Sequence, residues 1–255
     1  ELNEEDRSFK IGETKVHCFC EPGAEEVPWG TLDVDVLVEA DVLRVQHRLV
    51  ERLLAFLGLH FHLGSPIFEL EPYSEAIEYV LQFASRMRKK FGLELKKFSP
   101  GGGFAVGYVT NTLPPAMGEY ASEIVTAIRS ACDRYGLDEP ELIVEPGRAI
   151  VGRSGVAVYT VGGIKTIPGV RTYVSVDGGM GDNIRPALYE SEYAVVPVDR
   201  PLAERNHTVT VAGKFCESGD VLARDVDLPE PETGELLALP ASGAYCLMMA
   251  SNYNM

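Results

Sequence analysis

The sequence has few positive charges. Its 255 residues include 23 Lys and Arg against 38 Asp and Glu, a formal net charge of -15. Proteins that bind nucleic acids need a basic surface to displace counterions from the phosphates, so no nucleic-acid partner is expected. No apolar run approaches the roughly 20 residues that span a bilayer, and the acidic N-terminus lacks the layout of a signal peptide. We therefore expect a cytoplasmic protein with a small-molecule substrate and no membrane partner.

Cysteines are also few. The five are odd in number and unevenly spaced, which does not suit a disulfide framework, so we expect reduced thiols. Cys18 and Cys20, beside His17, could hold a metal ion. Structural zinc sites normally need a second ligand pair, and none stands at the usual spacing, so no metal is predicted.

The residues that are present show a repeated pattern. An apolar segment at 53–63 precedes a helical stripe at 73–87, and a second stripe follows at 120–135. Each stripe ends at a glycine, Gly92 or Gly136, followed by leucine and an apolar strand, the second at 141–144. Strand–helix units repeated in this way are typical of a parallel α/β barrel, whose functional residues lie at the strand C-termini.

The two ends of the chain have different patterns. After Val151 short β-rich runs at 155–161, 172–176 and 208–211 alternate with Gly, Pro and Asp, which predicts an all-β region. The segment from Glu1 to Gly30 is polar and irregular, and it precedes a possible strand at 34–38 and an amphipathic helix near 40–55. We therefore predict an atypical segment at 1–52, the C-terminal part of a barrel at 53–153 and a β domain at 154–255.

Three short motifs suggest a site for a phosphate-bearing cofactor. They are His-Phe-His-Leu-Gly-Ser at 60–65, the triplet Gly101-Gly102-Gly103, and Glu-Pro-Gly-Arg at 145–148. Consecutive glycines let backbone N–H groups approach an oxyanion. Taken singly, the motifs fit a core histidine, a flexible loop and a surface salt bridge, but their occurrence together favours a cofactor site.

In their order these motifs resemble the fold-type III pyridoxal 5'-phosphate (PLP) decarboxylases, and within them the diaminopimelate decarboxylases. The likeness continues at 177–189, 216–220, 243–245 and 251–254, and it runs from Leu59 to Asn254, whereas the segment before Leu59 does not match. The resemblance implies a partial PLP-binding (β/α) barrel of alanine racemase/ornithine decarboxylase type followed by a C-terminal all-β domain. It implies decarboxylation of meso-2,6-diaminopimelate to L-lysine and CO2, the last step of lysine biosynthesis.

The resemblance also implies roles in binding PLP. The ring of His62 would stack on the pyridine, and Glu145 would hold the pyridine nitrogen protonated. Ser65 and the glycine triplet would bind the phosphate, as would two further residues, Arg148 and Tyr245. His60 is expected to be structural. It shares a strand face with His62, so a His-x-His metal site is the rival interpretation, but the strand ends supply no further histidines.

Other residues are implied in substrate binding and dimerisation. Arg185 and Tyr189 match contacts to the substrate carboxylate, and a planar guanidinium suits a carboxylate. Cys216, as proton donor, and Glu217, at the distal amino end, match a pair that reaches into the neighbouring subunit's site. This implies a homodimer with shared active sites. The alternative for Cys216 is a small buried hydrophobic residue.

No lysine can be assigned to the Schiff base. The family's lysine is followed by Ala-Asn, and no lysine of this sequence is. We therefore expect that the N-terminal part carrying this lysine is lacking and that the β domain is truncated at its C-terminal end. Two alternatives remain: a related decarboxylase of arginine, ornithine or carboxynorspermidine, and a non-catalytic PLP-binding remnant.

Overall fold

The chain has an α/β fold in which two compact units can be distinguished. The computed structural model describes residues 8–11, 14–17, 33–40, 54–109 and 111–254. The first unit comprises Glu1–Gly102 and Met117–Glu145, and the second comprises Gly103–Ala116 and Pro146–Met255. The chain thus passes between the units three times: inside the glycine triplet, between Ala116 and Met117, and directly after Glu145.

The first unit contains a hairpin and a four-stranded sheet. The strands are β1 (Ser8–Ile11), β2 (Thr14–His17), β3 (Asp33–Ala40), β4 (Leu54–His62), β5 (Lys97–Ser99) and β6 (Glu141–Leu142). β1 and β2 pair with each other, and the sheet has the order β3-β4-β5-β6. β3 is antiparallel to β4, whereas β4, β5 and β6 are parallel, as the repeated pattern predicted.

Two helices connect the parallel strands, α1 (Glu71–Phe91) and α2 (Met117–Tyr135). Gly92 and Gly136 follow them with φ of 70° and 65°, in the left-handed region that glycine adopts most readily, so both predicted helix ends are confirmed. The buried stripes of α1 and α2 meet at Tyr73 and Tyr120, whose ring centroids are 6.0 Å apart in an edge-to-face contact.

The side chains of β4 alternate between two faces. Leu59 and Phe61 are buried, and the Phe61 ring packs edge-on against Phe98 of β5 at 5.8 Å. His60 and His62 therefore lie on the opposite face of the strand, as the two-residue period of a strand requires. The packing of Leu59 and Phe61 fixes the register that presents both histidines together.

The second unit contains two short helices and a six-stranded sheet. The elements are α3 (Gly147–Val151), β7 (Ala157–Ile167), β8 (Arg171–Val176), α4 (Arg185–Tyr189), β9 (Val196–Pro197), β10 (His207–Ala212), β11 (Val221–Leu228) and β12 (Leu236–Leu239). The strand order is β11-β10-β8-β7-β12-β9. β7, β8 and β10 confirm the three strands predicted here. Inward side chains of this sheet form one apolar cluster, which includes Val161 of β7, Val174 of β8 and Leu237 of β12.

The N-terminal expectations are tested only in part. β3 confirms the strand predicted at 34–38. The helix predicted near 40–55 is wrong at its two ends, because Ala40 belongs to β3 and residues 54–55 belong to β4. The remainder of that helix lies outside the described residues, as do Cys18 and Cys20. Within the described ranges, no helix is long and apolar enough to cross a membrane.

Candidate functional site

The glycine triplet lies where the ends of neighbouring parallel strands come closest. Gly102 forms an isolated parallel β-bridge with Glu145, and a Cβ on Gly102 would lie 2.0 Å from the Glu145 carbonyl oxygen. Gly101 has φ of 73°, and its Cβ would lie 2.5 Å from the carbonyl oxygen of Phe61. These two glycines are therefore required by backbone packing, independently of any ligand.

Hydrogen bonds fix the triplet from several sides. The hydroxyl of Tyr73, on α1, donates to the carbonyl oxygen of Gly102 (2.7 Å), and the N–H of Gly101 donates to Ser99 Oγ (3.2 Å). Burial raises the pKa of Tyr73 above its ordinary value, which keeps the hydroxyl protonated as a donor. The N–H of Gly102 donates to His62 Nδ1 (3.2 Å), so the proton of the neutral His62 ring is on Nε2.

His60 contacts the carboxylate of Glu145. Its Nε2 lies 3.3 Å from Oε1 and 3.4 Å from Oε2, while the Glu145 side chain is about half exposed. The expectation that His60 is merely structural leaves out this contact. His60 and His62 thus have different neighbours, a carboxylate and a backbone amide. Among the described residues no three potential metal-ligating side chains form a cluster.

Ser65 lies beyond the C-terminal end of β4. Its side chain is exposed, and the peptide bond between Ser65 and Pro66 is cis. Its expected contact with a phosphate stays a prediction.

Four side chains of the second unit form what we call the arginine–tyrosine cluster: Arg148, Arg185, Tyr108 and Tyr245. Arg148 and Arg185 are only 6% and 4% exposed. The Arg148 guanidinium carbon lies 5.7 Å from the Tyr108 ring centroid and 4.9 Å from that of Tyr245. The corresponding distances for Arg185 are 5.4 and 5.8 Å. Both cations thus lie within the range of cation–π attraction to the same two rings.

The polar contacts of the two arginines differ. Arg148 Nη1 donates to the hydroxyl of Tyr108, whereas Arg185 Nη2 donates to Ser191 Oγ (3.0 Å). Arg185 Nε is buried and has no hydrogen-bond partner among the described residues, and the same holds for Nδ2 of the nearby Asn183. A buried cation with an unsatisfied donor is costly. The cluster is therefore suited to binding an anion.

Tyr245 presents its ring to both arginines from a strained backbone position. Its φ is 64°, and its hydroxyl lies 3.7 Å from the position that a Cβ on Gly147 would occupy. Non-glycine residues with positive φ are uncommon and occur at sites where the surroundings impose them. Gly103, the third glycine of the triplet, also has a positive φ, of 92°.

Arg185 and Tyr189, which the sequence grouped together, lie at opposite ends of the single-turn helix α4. The Arg185 side chain is buried, while Tyr189 is 60% exposed. The hydrogen bonds of the described residues do not join these two side chains. The structure therefore places Arg185 in the arginine–tyrosine cluster and Tyr189 at the surface of the second unit.

Cys216 and Glu217 are held by the C-terminal segment. Cys216 is exposed, so the alternative that it is a buried hydrophobic residue is wrong. Asn254 Nδ2 donates to the Cys216 carbonyl oxygen (2.7 Å), and the Tyr253 hydroxyl donates to Glu217 Oε2 (3.3 Å). The motif at 251–254 thus has a local structural role at these two residues.

Sequence reasoning missed three contacts near the predicted residues. It assigned no role to Tyr73 or Tyr108, and it missed the pairing of His60 with Glu145. The alternation of side chains along β4 places His60 beside His62, which was a usable signal. Nothing in the spacing of Tyr108 distinguishes it from other loop tyrosines.

Comparison with known proteins gives a consistent match. Residues 9–152 match the model of the pyridoxal-dependent decarboxylase family, pyridoxal binding domain. The chain is 46% identical to diaminopimelate decarboxylase from Synechocystis over 78% of this chain and 42% of the relative. It is 40% identical to the Bacillus subtilis enzyme over 95% of this chain and 54% of the relative. The chain thus spans about half the length of these curated relatives.

A solved structure matches as well. The crystal structure of diaminopimelate decarboxylase from M. jannaschii in co-complex with L-lysine has a TM-score of 0.71 and 33% identity, over 78% of this chain and 44% of that chain. The family match begins at Phe9, upstream of the motifs. The expectation that the segment before Leu59 does not match the family is therefore wrong.

Proposed function

Because the chain belongs to the pyridoxal-dependent decarboxylase family, we propose that its residues serve the PLP-dependent decarboxylation of meso-2,6-diaminopimelate to L-lysine and CO2. The main support is the arginine–tyrosine cluster, where two buried guanidiniums share two aromatic rings and Arg185 keeps an unsatisfied donor. Such a cluster favours an anionic ligand, and a phosphate and a substrate carboxylate are both anions. The names of the similar proteins support the choice of diaminopimelate.

We propose that the four-stranded sheet is the C-terminal part of a (β/α) barrel and that the six-stranded sheet belongs to the C-terminal β domain. The boundary between them is proposed near residues 153–154, although the compact units place Gly103–Ala116 and the residues from Pro146 onward together. We also propose that the protein forms a homodimer with shared active sites and is located in the cytoplasm.

In the first unit, His62, Ser65 and Glu145 would hold PLP together with the backbone of Gly101 and Gly102. When bound, PLP supplies a protonated ring that accepts the electron pair released as CO2 departs. Glu145 would hold the proton at the ring nitrogen, and His60 would orient the Glu145 carboxylate by its contact at 3.3 Å. The hydrogen bond from the Gly102 N–H to Nδ1 would orient the His62 ring for stacking on the pyridine.

In the second unit, Arg148, Tyr245 and the Gly103 backbone would bind the phosphate. Arg185 and Tyr189 would bind the distal carboxylate of the substrate. The resemblance to the family supports these roles.

Cys216 and Glu217 would serve the site of a neighbouring subunit. Cys216 Sγ would hold the proton that is delivered to the substrate carbon after CO2 has left, and Glu217 would bind the distal amino group. Their exposure and their anchoring by Asn254 and Tyr253 are compatible with reaching another chain.

The phosphate assignment is tested by titrating the chain with PLP and with pyridoxal, which lacks the phosphate. Arg148→Met should weaken PLP binding at least about tenfold, because a charge-assisted hydrogen bond contributes about 1.5–3 kcal/mol, and should leave pyridoxal binding nearly unchanged. Arg153→Met, on an exposed arginine a little further along the chain, is the control. Equal losses for both ligands, or no PLP binding by the unsubstituted chain, would refute the assignment.

The substrate assignment is tested by measuring CO2 release from diaminopimelate, ornithine and arginine in the presence of PLP. A preference for diaminopimelate that Arg185→Lys abolishes is expected, since lysine lacks the planar fork. A non-catalytic PLP-binding role is the second candidate, because no Schiff-base lysine can be assigned in the sequence. PLP binding without CO2 release from any of the three substrates would favour that role.

A further inference from the structure

The side chain of Tyr73 connects helix α1 to the glycine triplet. Tyr73 lies fully buried in the first turn of α1, and its hydroxyl donates a hydrogen bond to the carbonyl oxygen of Gly102 (2.7 Å). Its ring packs edge-on against Tyr120 of α2. Because α1 follows β4 whereas Gly102 follows β5, this hydrogen bond links two successive strand–helix units.

The peptide groups around Gly102 need to be fixed by their neighbours. Gly101 and Gly103 have φ of 73° and 92°, and glycine leaves such conformations more easily than other residues, so the chain itself does not hold the peptide planes. The peptide group between Gly101 and Gly102 is held at both ends. Its carbonyl oxygen accepts from the N–H of Glu145 (2.9 Å), and its N–H donates to His62 Nδ1 (3.2 Å).

The next peptide group, between Gly102 and Gly103, is held by Tyr73. This peptide is trans, so its C=O and its N–H point in opposite directions. Since Tyr73 holds the Gly102 C=O on the side of α1, the N–H of Gly103 points away from α1. Gly102 is buried and Gly103 is partly exposed, and among the described residues the Gly103 N–H has no hydrogen-bond partner. This N–H is therefore available to a ligand.

We propose that Tyr73 is a positioning residue that fixes the Gly103 N–H as a donor to the phosphate by holding the Gly102 carbonyl from helix α1. The inference rests on the proposed function, in which the Gly103 backbone binds the phosphate. An N–H that is already fixed avoids the loss of conformational freedom that a mobile glycine peptide undergoes on binding. Tyr73 needs no contact with PLP, because it acts through the peptide group.

Tyr120 supplies a matched control for the backbone measurement. It is buried beside Tyr73, and its hydroxyl also donates to a backbone carbonyl oxygen, that of Ile67 (2.6 Å). Tyr73→Phe and Tyr120→Phe each remove one hydroxyl from the same edge-to-face pair, so they should lower the melting temperature by similar amounts. A difference between the two variants at the glycine triplet then cannot come from a general loss of stability.

The first experiment requires no ligand and tests the inference separately from the proposed function. By NMR relaxation, the order parameter of the Gly103 N–H should fall from about 0.85 to below about 0.6 in Tyr73→Phe. The carbonyl ¹³C signal of Gly102 should shift as its hydrogen bond is lost. Tyr120→Phe should leave both signals unchanged. An unchanged Gly103 order parameter in Tyr73→Phe would overturn the inference, whether or not the chain binds PLP.

The second experiment compares the binding of PLP and of pyridoxal by isothermal titration. Tyr73→Phe should weaken PLP binding about fivefold, because ordering one peptide group on binding costs about 1 kcal/mol, and should leave pyridoxal binding nearly unchanged. The control here is Tyr135→Phe, which removes a hydroxyl that donates to Glu78 and should change neither affinity. Tyr120→Phe does not suit this measurement, since Ile67 lies two residues after Ser65.

The outcomes separate the inference from the proposed function. Equal losses for PLP and pyridoxal in Tyr73→Phe, or a mobile Gly103 N–H with unchanged PLP affinity, would overturn the role of Tyr73 in phosphate binding. No PLP binding by the unsubstituted chain would refute the proposed function, while the NMR measurement would still decide whether Tyr73 fixes the Gly103 N–H.

Discussion

The substitution Gly102→Ala tests whether the glycine triplet is required by packing. A Cβ on Gly102 would lie 2.0 Å from the carbonyl oxygen and 2.9 Å from the carbonyl carbon of Glu145. Both atoms belong to the backbone, so a side-chain rotation cannot relieve the overlap and the strand ends must separate. Overpacking costs about 1–3 kcal/mol, and we expect about 2–3 kcal/mol here. That corresponds to a fall in melting temperature of about 4–12 °C, measurable by scanning calorimetry.

The matched control is Gly118→Ala in the first turn of α2. A Cβ on Gly118 would meet no heavy atom within 4 Å, so this variant should be neutral or stabilised by about 0.5–1 kcal/mol through helix propensity. Gly102→Ala should also lose the contact between His60 and Glu145, which histidine side-chain NMR would detect. If Gly102→Ala is as stable as Gly118→Ala, the backbones of Gly102 and Glu145 do not approach each other this closely, and the packing argument fails.

Two further predictions follow from pKa shifts. Burial, with Glu139 and two aspartates nearby, raises the pKa of Cys132 to about 11, so at pH 8 iodoacetamide should label Cys132 at least about a hundredfold more slowly than the exposed Cys216. Similar rates in peptide mapping would contradict this. Arg200, which donates to Glu235 at 2.8 and 3.1 Å, lowers the pKa of that carboxyl, so Glu235→Gln should cost about 1–2 kcal/mol at pH 7. Because the folded-state pKa of Glu235 is depressed, the stability difference between the two proteins should shrink as the pH falls below the ordinary value of 4.5. Urea unfolding that gives the same difference in unfolding free energy from pH 3 to pH 7 would refute this prediction.

The local elements could be predicted because their signals are local. Helical periodicity with Gly92 and Gly136 predicted the ends of α1 and α2, and alternation along β4 predicted that His60 and His62 share a face. The propensities of short segments and the tertiary packing agree at these positions. The family motifs also identified Arg148 and Arg185 as residues of interest.

The remaining features depend on contacts that sequence spacing does not encode. The segment 103–116 belongs to the second unit because Val106 packs against Gly152 and Tyr108 packs against Tyr193. The near-complete burial of Arg185 is contrary to the usual exposure of arginine and depends on the rings around it. Such long-range packing cannot be derived from residue patterns within one segment.

The position of β12 has a consequence for how the second unit is made. β12 lies between β7 and β9, and its Leu236 pairs with Thr160, which is synthesised long before it. Until β12 leaves the ribosome, the edge of β7 at 157–160 has no partner, and an unpaired edge is a template for pairing with other chains. Closing so long a loop also slows folding. Aggregation of nascent chains is therefore expected to be most frequent while the segment 161–235 emerges. It is expected to stop once β12 has paired with β7.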